Sequence, residues 1–366
     1  MIFRTQAGGA LWAGIVWACV CMGATARGTD WHVHPERGDD KNTGTAEAML
    51  ASVQRAVTLA EPGDTIHLHP RGAVYRQSIL LSGKTGIAIE GNDVTLEGAD
   101  PLPETGWEQV KIDLFRRVMP RTPLDRHLLI LNGRMERMGR TQSGNSRDFP
   151  PPTAIETGQF CFETIDEKTG WLYVRGPVTG LEWSTRMNGL ATSGENRGIT
   201  VRNLNARNFL NDGFNLHGHC VESVFENIQG YDCFDEGFSA HDTCECVIRD
   251  GKFWGNENAV ADVNDCITHY QNCEFRDSVS VDCLLIGKTH TLINCRILNT
   301  TTATALSAGP RGPDAAGFRL TLENLIVEGR REGAPARVRI NGGELRLINC
   351  TFRNVDLNTS GATQQD

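Results

Sequence analysis

An internal repeat in the second half of this 366-residue chain restricts its fold more than any other feature. Residues 201–218 match residues 225–242 at an offset of 24, so that Gly213 corresponds to Gly237. Weaker copies follow, in which asparagine directly precedes cysteine, at Asn272-Cys273, Asn294-Cys295 and Asn349-Cys350. Each unit has room for short strands but not for a helix of ten residues. We therefore predict a solenoid, a right-handed parallel β-helix, with the recurrent asparagines forming a ladder at its turns.

The amino-terminal part has the pattern of a cap on such a solenoid. Residues 46–60 carry apolar side chains at helical spacing, and residues 62–69 return to a strand pattern. A helix at this place covers the end of the apolar core and blocks edge-to-edge association, which favours a monomer.

This part also carries a family resemblance. Gly44-Thr45, the helix containing Ala56, the run at 62–66 and Val74-Tyr75 resemble the amino-terminal signature of bacterial β-helix proteins of the pectate-lyase-like superfamily. The resemblance implies the same fold over roughly residues 30–100 and 195–358. It implies no single chemistry, because that superfamily contains lyases, hydrolases, epimerases and binding proteins.

The extreme amino terminus resembles a secretory signal peptide. Arg4 is followed by a mainly apolar run at 10–22 and by Ala-Thr-Ala at 24–26, which fits a cleavage signal. We therefore expect a secreted or periplasmic protein, and no later run is long and apolar enough to predict a membrane span. The predicted divisions are a signal peptide at 1–26, a cap with first coils at 27–100, an inserted β-subdomain at 101–192, the main coils at 193–358 and a disordered tail at 359–366.

The insertion interrupts the repeat with strand-like segments at 128–135, 158–162 and 169–175. It resembles an insertion in some β-helix proteins of the glycoside-hydrolase type. A structural flap and a substrate-binding wall are both compatible with this pattern. Most cysteines lie between Cys220 and Cys295 without paired metal-site spacing, which favours buried apolar roles.

The charge balance excludes one class of partner. With 36 basic and 45 acidic residues the chain has a net charge of −9, which gives no electrostatic basis for binding nucleic acid. An anionic substrate then needs a local basic site or a bound cation. No phosphate-binding glycine loop or serine-hydrolase elbow occurs in the sequence, so nucleotide and serine-hydrolase functions have no support.

Stacked coils place matching residues beside each other, about 4.8 Å apart. An offset of 24 followed by one of 23 predicts that His217, His241 and Asp262 face outward on successive coils. The polar residues predicted on this face are Asp212, His217, Asp235, Glu236, His241, Asp242, Asp262, Asp265 and Lys288. A solvated polar surface is the structural alternative to a functional site.

The first chemistry that suits this face is calcium-assisted β-elimination on a polysaccharide containing uronic acid. Asp242 and Asp265, expected in one column, supply the oxygen ligands that Ca²⁺ prefers, and Lys288 is the candidate base. The phrases at 211–215 and 235–239 resemble the calcium-binding turn of certain pectate lyases. Asp262 stands where that family's lysine is expected, which departs from the family pattern.

The second chemistry is glycoside hydrolysis by two carboxylates, drawn from Asp212, Asp235 and Glu236. These acids resemble the aspartate pairs of polygalacturonase-type hydrolases, although that family's Gly-His-Gly is missing at 258–260. Elimination is favoured narrowly over hydrolysis, and a glycan-binding protein without activity is the third alternative. The full catalytic group predicted is Asp212, Asp235, Glu236, His241 and Lys288, with substrate contacts from His217, Trp254 and Asp262.

Two further features each have a structural and a functional interpretation. Trp254 precedes a turn and is either a core aromatic or a ring that stacks on a sugar. Four histidines lie in the cap strands, at His32, His34, His67 and His69, and they are either ordinary polar positions or ligands of a metal.

Overall fold

The computed structural model describes residues 28–131, 133–139, 150–299, 302–311, 317–330 and 332–364. The predicted signal peptide at 1–26 lies outside these residues. The described chain is a right-handed parallel β-helix with an amino-terminal capping helix and a β insertion, as the repeat predicts.

Two parallel sheets form the walls of the solenoid. The larger has 17 strands: Asp30–Val33, Thr65–Leu68, Val74–Tyr75, Ala88–Glu97, Thr200–Arg207, Ser223–Tyr231, Glu245–Arg249, Lys252–Trp254, Ile267–Gln271, Glu274–Arg276, Thr289–Ile293, Arg296–Leu298, Arg319–Glu323, Ile326–Glu328, Glu344–Ile348, Thr351–Arg353 and Thr363–Gln364. The smaller, called here the nine-stranded sheet, contains Ile79–Ser82, Leu190–Ser193, Phe214–Leu216, Glu236–Ala240, Asn258–Val263, Val281–Ile286, Thr304–Ala308, Ala336–Ile340 and Val355–Asn358. A short parallel pair, Glu195–Arg197 and His219–Val221, lies at one turn between them.

Asparagines in the left-handed backbone region bend the chain within each coil of the large sheet. Asn203 and Asn227 have φ of 52° and 49°, values that asparagine tolerates better than most residues. The side-chain amide of Asn227 donates to the side-chain oxygen of Asn203 at 2.7 Å, and Asn324 donates to Asn294 at 2.9 Å. The predicted asparagine ladder is therefore present, and it satisfies turn groups from coil to coil.

Apolar side chains fill the space between the two sheets. Phe214 pairs in register with Phe238, and both rings pack against Phe225 from the large sheet. The ten described cysteines are all free thiols, and nine of them are buried, which agrees with their interpretation as small apolar residues.

The capping helix is shorter than the pattern at 46–60 predicts. It runs over Val53–Leu59 and begins after Ser52, whose hydroxyl accepts a hydrogen bond from the backbone of Arg55. Leu50 forms a bridge with Val33 instead of joining the helix. The helix still places Val53, Ala56 and Val57 in the core, so it covers the first coil as expected.

The insertion leaves the solenoid between two coils that are directly hydrogen bonded to each other. Ala88–Glu97 before it pairs with Thr200–Arg207 after it, so the stack of coils continues without a gap. Its antiparallel strands form two sheets: Ala99–Pro101, Arg126–Leu131, Arg134–Gly139 and Glu182–Ser184 in one, and Glu108–Lys111, Leu114–Pro120, Phe160–Thr164 and Thr169–Arg175 in the other. A single 3₁₀ turn, Pro123–Asp125, connects them.

The carboxyl terminus differs from the sequence prediction. A disordered tail is expected from residue 359, but Thr363–Gln364 adds a last strand that pairs with Glu344–Ile348. Among the described residues, no helix has the length and apolar character needed to cross a membrane.

Candidate active site

Three acidic side chains meet at the amino ends of two neighbouring strands of the nine-stranded sheet. Asp212 precedes Phe214–Leu216, while Asp235 and Glu236 lie at the start of Glu236–Ala240. One oxygen from each carboxyl group lies within 4.8 Å of the others. All three are at most 3 % exposed, so the structure brings these predicted residues together in a place that excludes most water.

Polar neighbours on the same coils orient this cluster. The Ser239 hydroxyl donates to Asp212 at 2.6 Å, and the backbone N–H of Glu236 donates to the other Asp212 oxygen at 3.1 Å. Asn215 also donates to Asp212, and the amide of Asn258 donates to Glu236 at 2.8 Å. Asn215 and Ser239 pair in register on neighbouring coils, so the repeat itself places these two donors against Asp212.

Two arginines of the insertion reach the same turn of the solenoid. The Arg126 guanidinium lies 2.8 Å from a carboxylate oxygen of Asp235, and its side chain is 5 % exposed. Arg137 donates to the backbone carbonyls of Cys233 at 2.6 Å and Gly255 at 2.9 Å. Both guanidinium groups pack on the ring of Phe234, at 5.4 and 5.5 Å. Sequence analysis missed both arginines, because the insertion has no repeat that would align them with the coils.

Burial and like charge change the proton affinity of the cluster. Burial and the neighbouring charge of Asp212 raise the pKa of Asp235 to about 6, although Arg126 opposes this shift. Burial together with Asp235 and Asp212 raises the pKa of Glu236 well above its usual range. Both shifts favour the protonated form of these carboxyl groups at a higher pH than usual, and the causes are strongest at Glu236.

A groove of about 250 Å³ opens on the outer face of the sheet beside this cluster. It is lined by Glu236, His241, Glu257, Asn258, Ala261, Val263, Ser280, Val281, Leu284, Ile286 and Arg311. Two carboxyl groups, Glu236 and Glu257, thus face the same space from neighbouring coils. Asp212 and Asp235 do not line the groove and lie behind Glu236.

Glu257 is a site residue that the sequence analysis missed. Glu236 pairs in register with Asn258, an offset of 22, so Glu257 is next to Asp235 on the following coil. Its backbone N–H donates to the Asp235 carbonyl at 2.7 Å, and its side chain is only 3 % exposed. An offset of 23 predicts Asn258 beside Asp235 and Ala259 beside Glu236, so it does not align Glu257 with the acids.

The same one-residue difference moves Asp262 to the inside of the solenoid. Asp262 pairs with Ala240, an inward position, and is fully buried. Thr268 and Tyr270 donate hydrogen bonds to its carboxylate at 2.7 and 2.9 Å. Burial raises the pKa of Asp262 to about 7. The prediction that Asp262 faces outward to bind substrate is wrong, because a shift of one residue exchanges the two faces of a strand.

The residues predicted to hold calcium do not form one column. Asp242 has φ of 52° and is matched on the next coil by Asn264, whose amide oxygen accepts a hydrogen bond from the Asp242 backbone. The Asp242 carboxylate instead accepts from the Gly218 backbone at 2.8 Å on the preceding coil. Asp265 is exposed, and its backbone N–H donates to the Asp242 carbonyl at 2.8 Å, so the two residues are on neighbouring coils but one position out of register. The single column is wrong, and calcium binding at these residues stays a prediction.

Lys288 lies at the opposite end of the sheet from the acids. It is exposed and follows the last residue of Val281–Ile286, whereas Glu236 matches the first residue of that strand through Asn258. Two strand spacings and the length of the strand separate them by roughly 20 Å. Lys288 is therefore not placed to act as a base beside the acid cluster.

His217 and His241 stack as the repeat predicts, with ring centroids 4.1 Å apart and an angle of 11° between the rings. Burial and the neighbouring imidazole lower the pKa of His241, which lines the groove as a neutral ring. His217 lies one coil away and contacts Asp242 through Nδ1 at 3.3 Å.

Trp254 is neither a core residue nor an open platform. It lies on the outer face of the large sheet, with Tyr231 stacked on one side at 4.4 Å. The Arg276 guanidinium lies 5.0 Å from its ring centre, on the coil that follows. With neighbours from both adjoining coils against the ring, the predicted stacking of Trp254 on a sugar is not supported.

The four cap histidines are not gathered into one set. His32 Nδ1 lies 3.0 Å from His69 Nε2, and the ring of His67 stacks on His32. His34 is turned to a different partner, because its Nε2 accepts a hydrogen bond from Arg37 Nε at 2.8 Å. The four-histidine metal site is therefore not formed.

The acid cluster does not fit a calcium ion. The oxygens of Asp212 accept hydrogen bonds from the protein, Glu236 accepts from Asn258, and Asp235 lies against Arg126. Calcium takes six to eight oxygen ligands, some of which can be waters, and the Arg126 guanidinium beside Asp235 repels a divalent cation.

Neither protein-family models nor curated proteins show a match to this chain. Solved structures do match. A structure named as a glycoside hydrolase aligns with a TM-score of 0.54 over 92% of this chain and 96% of its own, at 10% identity. The complex of XylC with xylose aligns with a TM-score of 0.53 over 87% and 69%, at 12% identity. These matches show that the chain shares the parallel β-helix fold of these structures. A pectate lyase, Pel9A, is also similar, with a TM-score of 0.49.

Proposed function

We propose that this protein is a secreted, monomeric enzyme that hydrolyses glycosidic bonds in a polysaccharide. The observation that carries the proposal is the pair of carboxyl groups, Glu236 and Glu257, that line one groove from neighbouring coils. Burial and the neighbouring acids raise the pKa of Glu236 well above its usual range, which favours its protonated form. Glycosidases use a pair of carboxyl groups, one as general acid and the other as base or nucleophile. The similarity to carbohydrate-active enzymes of the same fold supports a carbohydrate substrate.

In this mechanism Glu236 donates its proton to the glycosidic oxygen as the bond to the sugar breaks. Glu257 acts on the anomeric carbon from the other side, either directly as nucleophile or by activating a water. Asp212 and Asp235 act through Glu236, because their negative charge raises its proton affinity. His241 lines the same groove and is positioned to contact the sugar hydroxyls.

Calcium-assisted elimination on a uronic-acid polymer is the alternative that the sequence favoured. It needs a base near the substrate and a cation on its carboxylate. No lysine lines the groove, whose one cationic residue among the described positions is Arg311. Hydrolysis is therefore the better-supported reaction.

A screen of neutral and uronic-acid polysaccharides tests the proposal. We expect reducing ends without the ultraviolet absorbance of a C4–C5 double bond, and no change in rate when excess chelator is added. The matched control is Glu236→Gln, which keeps the size of the side chain and removes its transferable proton. Unsaturated products, or cleavage that depends on Ca²⁺, would establish elimination instead, and retention of glycans without cleavage would indicate a binding protein.

A further inference from the structure

The insertion carries the positive charge that faces the acid cluster. Arg126 and Arg137 are on adjacent antiparallel strands, Arg126–Leu131 and Arg134–Gly139, which form a hairpin. Apolar contacts fix this hairpin on the solenoid, because Leu128 packs with Leu210 and Phe234 in a small buried cluster. The insertion is thus anchored at the turn that contains the acids.

Asp235 is the acid whose charge these arginines control. The acidic groups that face it are Asp212 on the preceding coil, Glu236 on its own strand and Glu257 on the next coil, and the basic groups are Arg126 and Arg137. Three carboxyl groups around a fourth cannot all remain ionised in a buried place without a counter-charge. Arg126, at 2.8 Å and almost fully buried, is the group that directly pairs with Asp235.

We infer that Arg126 is a positioning residue that keeps Asp235 ionised, so that the cluster's proton stays on Glu236, where the groove can use it. This inference rests on the proposed function for its catalytic meaning. Independently of any activity, Arg126 determines which carboxyl group, Glu236 or Asp235, holds the proton. Without Arg126, the proton would move to Asp235, which does not line the groove. The insertion would then be a working part of the active site and not only a flap.

Arg137 assists by fixing the backbone that carries these groups. Its two hydrogen bonds join the carbonyl of Cys233, two residues before Asp235, to that of Gly255, two residues before Glu257. The hairpin thereby holds two neighbouring coils at the distance that sets the contact between Asp235 and Glu257.

The pH dependence of thermal stability tests this inference without any substrate. Folding raises the pKa of Asp235 from 3.8 to about 6, so its favourable contribution exists below about pH 4 and is lost as the pH rises through 6. In Arg126→Gln this loss should extend above pH 7, because Asp235 then binds its proton more tightly. We expect a larger fall in Tm between pH 5 and pH 8 than in the wild type, and a wild-type profile for Arg126→Lys.

The matched control is Arg116→Gln, which removes an exposed ion pair with Glu108 on the other sheet of the insertion. An unchanged difference between Tm at pH 5 and at pH 8 in Arg126→Gln would overturn the inference. If that variant does not fold, Asp235→Asn decides, because it should make the difference in Tm between pH 5 and pH 8 smaller than in the wild type.

For the active enzyme we expect at least a tenfold loss of kcat/KM at pH 7 in Arg126→Gln and recovery in Arg126→Lys. A wild type without hydrolase activity would reject the proposed function and leave the Tm comparison valid.

Discussion

The two ends of the nine-stranded sheet both carry charged residues but differ in what surrounds them. At the amino ends of the strands, Asp212, Asp235 and Glu236 are buried beneath the insertion and share hydrogen bonds and an ion pair. At the carboxyl ends, Asp265 and Lys288 are exposed to solvent. An inserted element thus buries the charged groups on one part of an otherwise uniform face, and this is the part where we propose the catalytic site.

We expect the largest difference between the two ends in the rate of hydrolysis when their acidic residues are replaced. Glu236→Gln and Glu257→Gln should each reduce hydrolysis by about 10²- to 10⁴-fold, because general acid and base groups contribute this much. Asp265→Asn is the control at the opposite end and should keep activity within twofold. Release of reducing ends measures all three, and full activity in both glutamate variants would place the site elsewhere.

Asp262, the acid inside the solenoid, differs from the acids of the groove in its effect on stability. Folding raises the pKa of Asp262 from 3.8 to about 7, so this group favours folding below about pH 4 and opposes it increasingly as the pH rises through 7. Asp262→Asn should therefore increase stability at pH 8, by up to about 4 kcal/mol, and change it little at pH 4. Urea unfolding at the two pH values measures this, and a variant that loses stability at pH 8 would show that the hydrogen bonds from Thr268 and Tyr270 need the ionised carboxylate.

The smallest effect is expected at the exposed end itself. Asp242→Asn removes contacts to Gly218 and His217 at a half-exposed position, and such exposed pairs contribute about 1 kcal/mol or less. Lys288→Ala should leave both Tm and activity close to those of the wild type. Loss of activity in Lys288→Ala at an unchanged Tm would support Lys288 as the base. It would contradict the assignment of the site to the amino ends of the strands.

The sequence supports the fold prediction strongly because the fold is periodic. Each coil repeats the asparagine turn and the inward aromatic, as Asn203 and Asn227 or Phe214 and Phe238 demonstrate, so errors in one copy are corrected by the next. The close approach of Asp212, Asp235 and Glu236 also follows from the well-matched offset of 24.

The remaining site residues could not be predicted for two physical reasons. The next offset is 22 in the structure, and one residue decides whether a side chain faces the groove or the core, as Glu257 and Asp262 show. The contacts of Arg126 depend on how an aperiodic insertion folds back over the coils, which no repeat encodes. Cross-strand pairing within the insertion determines that placement.

The pH profile of kcat/KM on the polysaccharide that is cleaved tests the central claim most directly. If protonated Glu236 is the general acid, kcat/KM must fall on the alkaline side as Glu236 loses its proton, at a pH above the usual range of a glutamate. Glu236→Gln should remove the alkaline decline together with most of the rate. A rate that rises continuously towards pH 10, as deprotonation of a lysine base would produce, would contradict acid catalysis by Glu236.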